Sequence, residues 1–304
     1  MTALAVDNLH RTRCYSVRHR TLYRYDQVVT TSFTRAVLRP RATGTQRVLE
    51  HQVSISPEPD VLDETIDAFG NASHYIEIHT PHTCFEVSKS SVVEVTWPAI
   101  DLDALDAWTI DQAASTLRAK ADPVAGATYT LPSPMVQLPA AVRDFAHDML
   151  TRQMGLGTAI RTVHEQIHHE FAYRPGSTSV NTTLPELLDA RSGVCQDFAH
   201  LAVACLRTMG LPARYVSGYL ETTPPPGRAK LEGSDATHAW ASVMAPDGDW
   251  VDLDPTNDQL ADSRYIVTAW GRDFSDVSPL KGVIFTDGGE STLEVAVDVD
   301  PLPS

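Results

Sequence analysis

The sequence predicts an α+β fold in which a β-rich N-terminal region precedes a mixed region of helices and strands. Four early segments alternate apolar with polar residues or are rich in β-branched and aromatic residues: 15–25, 47–56, 74–80 and 91–97. Short strands at this spacing indicate an antiparallel β-sandwich, which we assign to a first domain over 1–97. From residue 140 onward the apolar residues recur at helical spacing instead.

Residues 98–139 differ in composition from the regions on either side. Ala, Asp and Pro replace the alternating apolar residues, and one weak helix is predicted over 111–120. We therefore predict a partly ordered connector over 98–139. A second domain then extends over 140–304.

The second domain is predicted to begin with helices. Helical spacing covers 140–150 and 158–171, and Thr183-Leu-Pro-Glu186 has the pattern of a capping box before a short helix. Near the end of the chain, 292–299 alternates as a last strand. We expect truncation before Leu293 to expose a sheet edge and destabilise the core of this domain.

Composition and charge narrow the classes of partner. The chain of 304 residues has a formal net charge of −15, and no stretch gathers enough Lys and Arg to favour a nucleic acid. No run of about 18 apolar residues is present, which disfavours a membrane partner. Segment 1–9 is too short and too acidic for a signal peptide, and four cysteines are too sparse for a disulfide scaffold. We therefore expect a cytoplasmic protein, with its oligomeric state left open.

Cys195 lies where a turn meets a clearly patterned helix. From Phe198 the apolar residues recur at helical spacing up to Met209, and Gly210-Leu-Pro212 stops the helix. A thiol at a helix N-terminus meets unpaired backbone N–H groups and the positive end of the helix dipole, which favour the thiolate. Cys205, on the apolar stripe of the same helix, fits the alternative of a buried and inert cysteine.

A second chemical element follows in two predicted strands, 237–244 and 250–254. The Pro-Asp-Gly turn between them favours a hairpin, which brings His238 and Asp254 to the same open end. Asp252 is the rival carboxylate because it lies on the same strand face, but it is further from the strand end. This pattern predicts that the two side chains are close, and it does not establish that they touch.

A thiol at a helix start, an imidazole and a carboxylate are the set that nucleophilic acyl transfer requires. In this interpretation Cys195 attacks a carbonyl, His238 takes and returns the proton, and Asp254 fixes the imidazole tautomer and stabilises its charged form. The backbone N–H of Cys195 is a candidate donor to the oxyanion. The sequence has no calcium-loop pattern, so neither a metal nor another cofactor is expected.

Motifs in both halves of the chain resemble bacterial transglutaminase-like proteins. In the second domain these are Gly193-Val-Cys-Gln-Asp-Phe-Ala-His200, Leu211-Pro-Ala-Arg-Tyr-Val-Ser-Gly-Tyr219, His238-Ala-Trp240 and Asp254-Pro-Thr-Asn257. In the first domain, His19-Arg-Thr-Leu-Tyr-Arg-Tyr25, Leu38-Arg-Pro-Arg41 and Phe69-Gly-Asn71 are similar to the β-rich N-terminal region that such proteins carry. The resemblance therefore covers most of the chain.

The resemblance implies a papain-like, transglutaminase-like α+β core at 140–304 with Cys195, His238 and Asp254 in the catalytic positions. Three more residues match the motif and are expected only as neighbours of the site: Gln196, Asp197 and His200. The superfamily includes amine-transferring enzymes, thiol peptidases and members with no demonstrated activity. Peptidase, amidase and transglutaminase-type transfer on a peptide or protein amide therefore all remain open.

Two alternatives come from other classes of protein. The first is a zinc hydrolase, because His164-Glu-Gln-Ile-His168 has the His-Glu-x-x-His pattern on a predicted helix. The extended pattern fails, since Phe171 and Arg174 stand where a Gly and a third His are needed, and Glu186 would be a third ligand only by chance. The second alternative is a catalytically idle binding or scaffold module of the same fold. The intact set of thiol, imidazole and carboxylate argues against it.

Overall fold

The computed structural model describes residues 9–120, 123–222 and 237–303. Its strands are β1 (Arg13–Ala36), β2 (Gln46–Ser56), β3 (Val61–Ile66), β4 (Ala72–Ile78), β5 (His82–Val95), β6 (Ala172–Tyr173), β7 (Ser192–Gly193), β8 (Ala213–Leu220), β9 (Thr237–Met244), β10 (Trp250–Asp254), β11 (Gln259–Leu260), β12 (Tyr265–Gly271), β13 (Leu280–Thr286) and β14 (Ser291–Leu302). Its helices are α1 (Leu102–Leu105), α2 (Ile110–Lys120), α3 (Pro123–Thr130), α4 (Ala140–Met149), α5 (Leu156–Glu170), α6 (Leu184–Ala190), α7 (Cys195–Thr208) and α8 (Phe274–Val277).

The N-terminal strands form one curled antiparallel sheet organised around β1. The sheet has seven strands, and β1, which is 24 residues long, takes part in both of its halves. The first half of β1 pairs with β5 and β14, and the second half pairs with β4 and β13. The α+β class expected from the sequence is confirmed. The strands expected as a sandwich belong to a single sheet, because one long strand continues through both halves.

The C-terminal strands complete this N-terminal sheet, which corrects their assignment to the second domain at 140–304. Residues 14–25 of β1 are paired one by one with β14, and residues 31–36 are paired with β13. Residue alternation identifies a strand, but it does not reveal which sheet the strand joins, since that depends on contacts distant in sequence. The first and last parts of the chain therefore form one structural unit.

Removal of residues 291–304 is expected to lower the melting temperature by more than about 5 °C. The loss comes from the β1–β14 pairing and from Val297 and Val299, which are 1% and 0% exposed, whereas Leu293 and Val295 are 55% and 50% exposed. Calorimetry of the truncated protein measures this shift, and removal of residues 303–304 alone is the control. An unchanged melting temperature would show that β14 contributes no stability.

The connector predicted over 98–139 is instead a helical part of the core. It contains α1, α2 and α3, and four residues of α2 are buried: Ile110, Ala113, Ala114 and Leu117. Ile110, Ala113 and Ala114 belong to the same hydrophobic cluster as α5 and α7. The apolar positions of 110–120 already had helical spacing, and tertiary packing stabilises a helix whose pattern was weak in isolation.

The second part of the fold is a five-stranded antiparallel sheet with helices on one face. Its strand order is β11-β10-β9-β8-β12, and α7 packs against β8 and β9. Every residue of α7 from Asp197 to Arg207 is buried, so this helix lies at the centre of the helical layer. In the described ranges, no helix is long and apolar enough to cross a membrane.

The opposite face of the five-stranded sheet is covered by the N-terminal sheet. One hydrophobic cluster joins Tyr15, Val17 and Trp97 of the N-terminal part to Trp240 and Tyr265 of the five-stranded sheet. Tyr15, Trp240 and Tyr265 are each 0% exposed. This contact is therefore a second hydrophobic core and not a loose interface. The N-terminal sheet thereby fixes the strands that carry His238 and Asp254.

Candidate active site

Cys195 is the first residue of α7 and packs against strands β8 and β9 of the five-stranded sheet. The preceding strand β7 pairs in parallel with β6, which directs the chain into the helix start. Asp197 stabilises this start, since its Oδ2 accepts hydrogen bonds from Val194 N at 2.8 Å and from Thr178 Oγ1 at 2.7 Å. The thiol is half-buried and packs against a cluster that includes Tyr215 and Ala239.

Gly193 is required by the close packing just before the nucleophile position. A Cβ atom at this residue would lie 2.8 Å from Asp197 Oδ2 and 2.8 Å from Leu187 Cδ1. Both neighbours are held, Asp197 by its hydrogen bonds and Leu187 by burial in the core. A larger residue would therefore displace the turn that places Cys195 at the helix start.

His238 and Asp254 are in direct contact at the open end of the β9–β10 hairpin. The His238 Nε2–H donates to Asp254 Oδ2 at 2.7 Å, and the two side chains are 11% and 0% exposed. Because Nε2 is used by the carboxylate, the other ring nitrogen is left for Cys195, whose side chain interacts with the imidazole. The hairpin predicted from the sequence thus produces a Cys195–His238–Asp254 arrangement.

The electrostatics of the pair favour an imidazolium beside a carboxylate. Burial lowers the pKa of His238, but the charge and hydrogen bond of Asp254, followed by Cys195, raise it to about 10. Burial raises the pKa of Asp254, whereas His238, Tyr265 and Asn257 lower it, and the net shift is downward. At neutral pH both groups are therefore charged.

Asp254 is held by several donors besides the imidazole. Its Oδ1 accepts from Thr256 N at 2.9 Å, and its Oδ2 accepts from Asn257 Nδ2 at 2.7 Å and from Tyr265 Oη at 2.6 Å. Tyr265 in turn accepts a hydrogen bond from Gln259 Nε2 at 2.6 Å. Asn257 belongs to the motif recognised in the sequence, whereas Tyr265 lies on β12 and no local pattern signals its role.

The two residues weighed as alternatives occupy different environments. Asp252 accepts hydrogen bonds from Trp240 Nε1 at 2.8 Å and Ser242 Oγ at 3.2 Å, and it does not contact His238. Cys205 is fully buried in the core, and burial raises the pKa of its thiol well above the ordinary range. The structure therefore brings Asp254, and not Asp252, to the imidazole, and it leaves Cys205 away from solvent.

The neighbours expected from the motif have separate positions. His200 is buried, its Nε2 accepts from Phe274 N at 3.1 Å, and burial lowers its pKa to about 4. Asp197 caps the helix, as described above, and Gln196 is half-buried beside Cys195. His200 is thus a packing residue that ties α7 to α8, whereas Gln196 borders the site.

The His164-Glu-x-x-His168 pattern supports the turn after Asp254. His164 Nδ1 hydrogen bonds to Asp258 Oδ1 at 2.8 Å, and His168 Nδ1 hydrogen bonds to Thr256 O at 2.9 Å. Glu186, the remaining ligand considered for zinc, caps α6 through Thr183. Across 9–120, 123–222 and 237–303, no three His, Cys, Asp or Glu side chains lie together as a metal-ligand group.

Tyr173 and Trp240 form aromatic surfaces next to the three residues. Tyr173 on β6 is 53% exposed and its ring lies 6.4 Å from Phe198, while burial and the neighbouring Cys195 raise its pKa. The Trp240 ring stacks on His238 at 6.1 Å with an interplanar angle of 27°. Tyr173 therefore presents an exposed aromatic ring next to Cys195.

Alkylation by iodoacetamide at about pH 6 is expected to modify Cys195 much faster than Cys205, because Cys195 is half-buried at a helix start beside the His238 imidazolium whereas Cys205 is fully buried. Replacing His238 by alanine should slow the labelling of Cys195 and leave Cys205 unchanged. Peptide mass spectrometry gives both rates in one sample. Equal rates for the two cysteines would contradict the arrangement described above.

The contribution of His238 to stability is expected to decline from about pH 6.5 towards pH 10. Its pKa is raised from 6.5 to about 10 in the folded protein, so the charged form stabilises folding fully below 6.5 and this stabilisation is lost as the pH rises through 10. Urea unfolding of wild type and His238→Ala over this range measures the difference. In an Asp254→Asn background, the effect of His238→Ala on the free energy of unfolding should lose most of its pH dependence. If the difference between wild type and His238→Ala is the same at every pH, the ion pair is refuted.

The fold is that of the papain-like cysteine enzymes. A cysteine lies at the start of its central helix, and a histidine–aspartate pair lies on the adjacent sheet. Residues 15–94 match the bacterial transglutaminase-like N-terminal region, and residues 143–255 match the transglutaminase-like superfamily. The chain belongs to the transglutaminase-like superfamily, which confirms the resemblance seen in its motifs.

Known proteins similar to this chain include full-length and partial matches. An uncharacterized protein of Mycobacterium tuberculosis is 43% identical over 309 residues, covering 99% of this chain and 96% of the relative. A protein-glutamine gamma-glutamyltransferase of Pseudomonas aeruginosa is 37% identical over 101 residues, which cover 32% of this chain and 15% of that protein. The crystal structure of a proposed cysteine protease from Cytophaga hutchinsonii aligns with a TM-score of 0.77 at 19% identity, covering 97% of this chain and 92% of that chain.

Proposed function

We propose that this protein is a cysteine-dependent acyltransferase or amidase acting on peptide or protein amides, with Cys195, His238 and Asp254 as its catalytic residues. The observation that carries this proposal is the 2.7 Å contact between His238 and Asp254, placed beside a cysteine at a helix start. Membership of the transglutaminase-like superfamily supports the same chemistry. The fold neighbour from Cytophaga hutchinsonii supports the architecture alone.

In the acylation step the Cys195 thiolate forms a bond to the amide carbonyl carbon, and the carbonyl π electrons move to oxygen. The backbone N–H of Cys195, at the first residue of the helix, is the proposed donor to this oxyanion. When the tetrahedral intermediate collapses, the C–N bond breaks and the His238 imidazolium gives its proton to the departing amine. The products are the free amine and a thioester on Cys195.

In the second step an acceptor releases the acyl group. Neutral His238 removes a proton from water or from a primary amine as the acceptor attacks the thioester carbonyl, and the C–S bond then breaks. Water gives a carboxylic acid and an amine gives a new amide, with the Cys195 thiolate and the His238 imidazolium regenerated in both cases. Asp254 keeps Nε2 protonated throughout, so the other nitrogen can act as the base.

The similarity to a protein-glutamine gamma-glutamyltransferase over 101 residues supports glutamine side chains as acyl donors and primary amines as acceptors. The exposed Tyr173 provides an apolar contact surface for the donor peptide next to Cys195. We therefore place amine transfer ahead of hydrolysis for this site. Peptidase activity on the main chain is the other outcome of the same thioester chemistry.

The test is incubation of purified protein with a panel of glutamine-containing peptides, with and without a primary amine, followed by mass spectrometry. We expect amine-dependent products, and hydrolysis where the amine is omitted, in buffer with or without a chelator. Peptide cleavage without amine incorporation would replace amine transfer by peptidase activity. No product from any peptide would favour the idle binding module, and activity lost to the chelator alone would favour the zinc hydrolase.

A further inference from the structure

A cavity of about 700 Å³ lies where the N-terminal sheet meets the five-stranded sheet. We call it the tryptophan cavity, because its walls include Trp97, Trp250 and Trp270, and its basic side chains are those of Arg214 and His10. Cavities of this size with mostly apolar walls and a few polar groups are typical of small-molecule sites. Neither Cys195, His238 nor Asp254 lines it.

Arg214 is buried between two of these tryptophans. The residue is 6% exposed, and its guanidinium carbon lies 3.9 Å from the ring centre of Trp250 and 3.7 Å from that of Trp270. The two tryptophans come from β10 and β12, which lie on opposite sides of β8 in the sheet. Both faces of the guanidinium are therefore occupied by indole rings, and its N–H groups point outward in the plane between them.

The in-plane donors of Arg214 lack acceptors within the part of the chain that the structure describes. Its Nε is buried with no hydrogen-bond partner, and the guanidinium takes part in no hydrogen bond or ion pair with a described residue. A buried donor without an acceptor is costly, and the charge of Asp252, which acts on Arg214, does not supply that hydrogen bond. The site is thus incomplete by at least one acceptor.

The titratable residues that line the tryptophan cavity are His10, Arg214, Asp249 and Asp252. Arg41 also stacks on Trp270, at 3.7 Å, and its Nη1 donates to the neutral amide of Asn71 at 2.8 Å. Asp252 lines the cavity, but its two oxygens already accept hydrogen bonds from Trp240 and Ser242. Asp249 also lines the cavity and is an exposed residue. The charge of Asp252 acts on Arg214, but neither oxygen of this carboxylate accepts a hydrogen bond from the guanidinium, so a ligand carboxylate is the acceptor that would complete its in-plane hydrogen bonds.

We propose that the tryptophan cavity binds a small carboxylic acid with a flat apolar body. The carboxylate would lie in the plane of the Arg214 guanidinium and accept paired hydrogen bonds, the geometry for which arginine is suited. The apolar body would pack against Trp97, Pro98 and Ile100, which line the same cavity. A free acid and the C-terminal carboxylate of a peptide ending in an aromatic residue carry this same chemistry.

This site is separate from the proposed acyl-transfer site. Trp240 lies between them, since its Nε1 donates to Asp252 and its ring stacks on His238. Carboxylate binding therefore does not depend on whether Cys195 is catalytic. A Cys195→Ala protein is expected to bind the acid as wild type does.

Isothermal titration calorimetry of the full chain with 3-phenylpropionate and with its neutral amide tests the proposal. We expect saturable binding of the acid, at least about tenfold tighter than that of the amide, because only the acid brings a counter-charge to Arg214. Quenching of tryptophan fluorescence should accompany binding. A tripeptide ending in phenylalanine, with a free or an amidated C-terminus, distinguishes the two sources: binding of the free-ended peptide extends the site to peptide ends, and its absence limits the site to free acids.

Binding measurements on variants of Arg214 provide a second test of the proposal. Arg214→Met should weaken binding of the acid at least about tenfold and leave the amide unchanged, and Arg214→Lys should fall between because lysine lacks the paired donors. Equal binding of acid and amide by wild type, or no saturation up to about 10 mM acid, would overturn the proposal. Unchanged binding by a folded Arg214→Met protein would do the same. If Arg214→Met does not fold, the affinities of wild type for the acid and for the amide test the proposal by themselves.

Discussion

Cys195→Ala is expected to lower kcat by a factor on the order of 10⁵ or more, because no thioester can form without the thiol. The structure places this thiol at the start of α7 and beside His238, whose pKa is raised to about 10. The imidazolium and the N–H groups of the helix start both act on this thiol in the proposed mechanism. Release of product from a glutamine peptide in the presence of a primary amine measures the loss.

Cys205→Ala is the matched control for this substitution. The two cysteines lie on one helix, but Cys205 is fully buried and does not face the site. We expect kcat to stay within about threefold of wild type, with a stability loss on the order of 1 kcal/mol from the small cavity that is created. Activity retained by Cys195→Ala, or abolished by Cys205→Ala in a folded protein, would remove Cys195 from the mechanism.

Asp254→Asn is expected to lower kcat by about 10³ to 10⁴, with a much smaller change in KM. The carboxylate accepts the Nε2–H of His238, which leaves the other ring nitrogen as the base toward Cys195. An asparagine amide can donate to Nε2 instead, which favours the opposite tautomer, and it also removes the charge that raises the pKa of His238. The pH profile of kcat should therefore shift toward lower pH as the activity falls.

Asp252→Asn tests whether the loss of kcat is specific to Asp254 or follows from replacing any buried carboxylate of the strand. Asp252 lies on the same strand and hydrogen bonds to Trp240 and Ser242, with no contact to His238. We expect its kcat to stay within about tenfold of wild type and its pH profile to keep its position. Equal losses of kcat in the two variants would mean that kcat depends on the geometry of the strand and not on the carboxylate that contacts the imidazole.

Local spacing in the sequence was sufficient to define the main secondary structure. The predicted helices over 140–150 and 158–171 are present at Ala140–Met149 and Leu156–Glu170, and the helix expected from Cys195 to Met209 is Cys195–Thr208. The capping box at Thr183 and Glu186 is also present. These features depend on apolar periodicity and on end signals within a few residues, which a single sequence contains.

Sequence patterns placed His238 and Asp254 at one end of a hairpin for the same local reason. The choice between Asp254 and Asp252 needed more than alternation, because both side chains point to one face of β10. Only the folded structure shows that Asp252 is engaged by Trp240 and Ser242 while Asp254 reaches the imidazole. The role of the His164-Glu-x-x-His168 pattern is likewise visible only in the structure, where the two histidines hydrogen bond to Asp258 and Thr256, which are distant in sequence.

The sequence by itself thus predicted most helices and strands, the superfamily, and Cys195 and His238 as candidate site residues, with Asp254 preferred over its rival Asp252. The tertiary structure decided where β14 belongs, how 98–139 packs, that Tyr265 holds Asp254, and that Arg214 is buried between Trp250 and Trp270. Each of these depends on residues that are distant in sequence and close in space. Periodicity and capping act within a few residues of the chain, whereas strand pairing and side-chain contacts are selected by the burial of the whole fold.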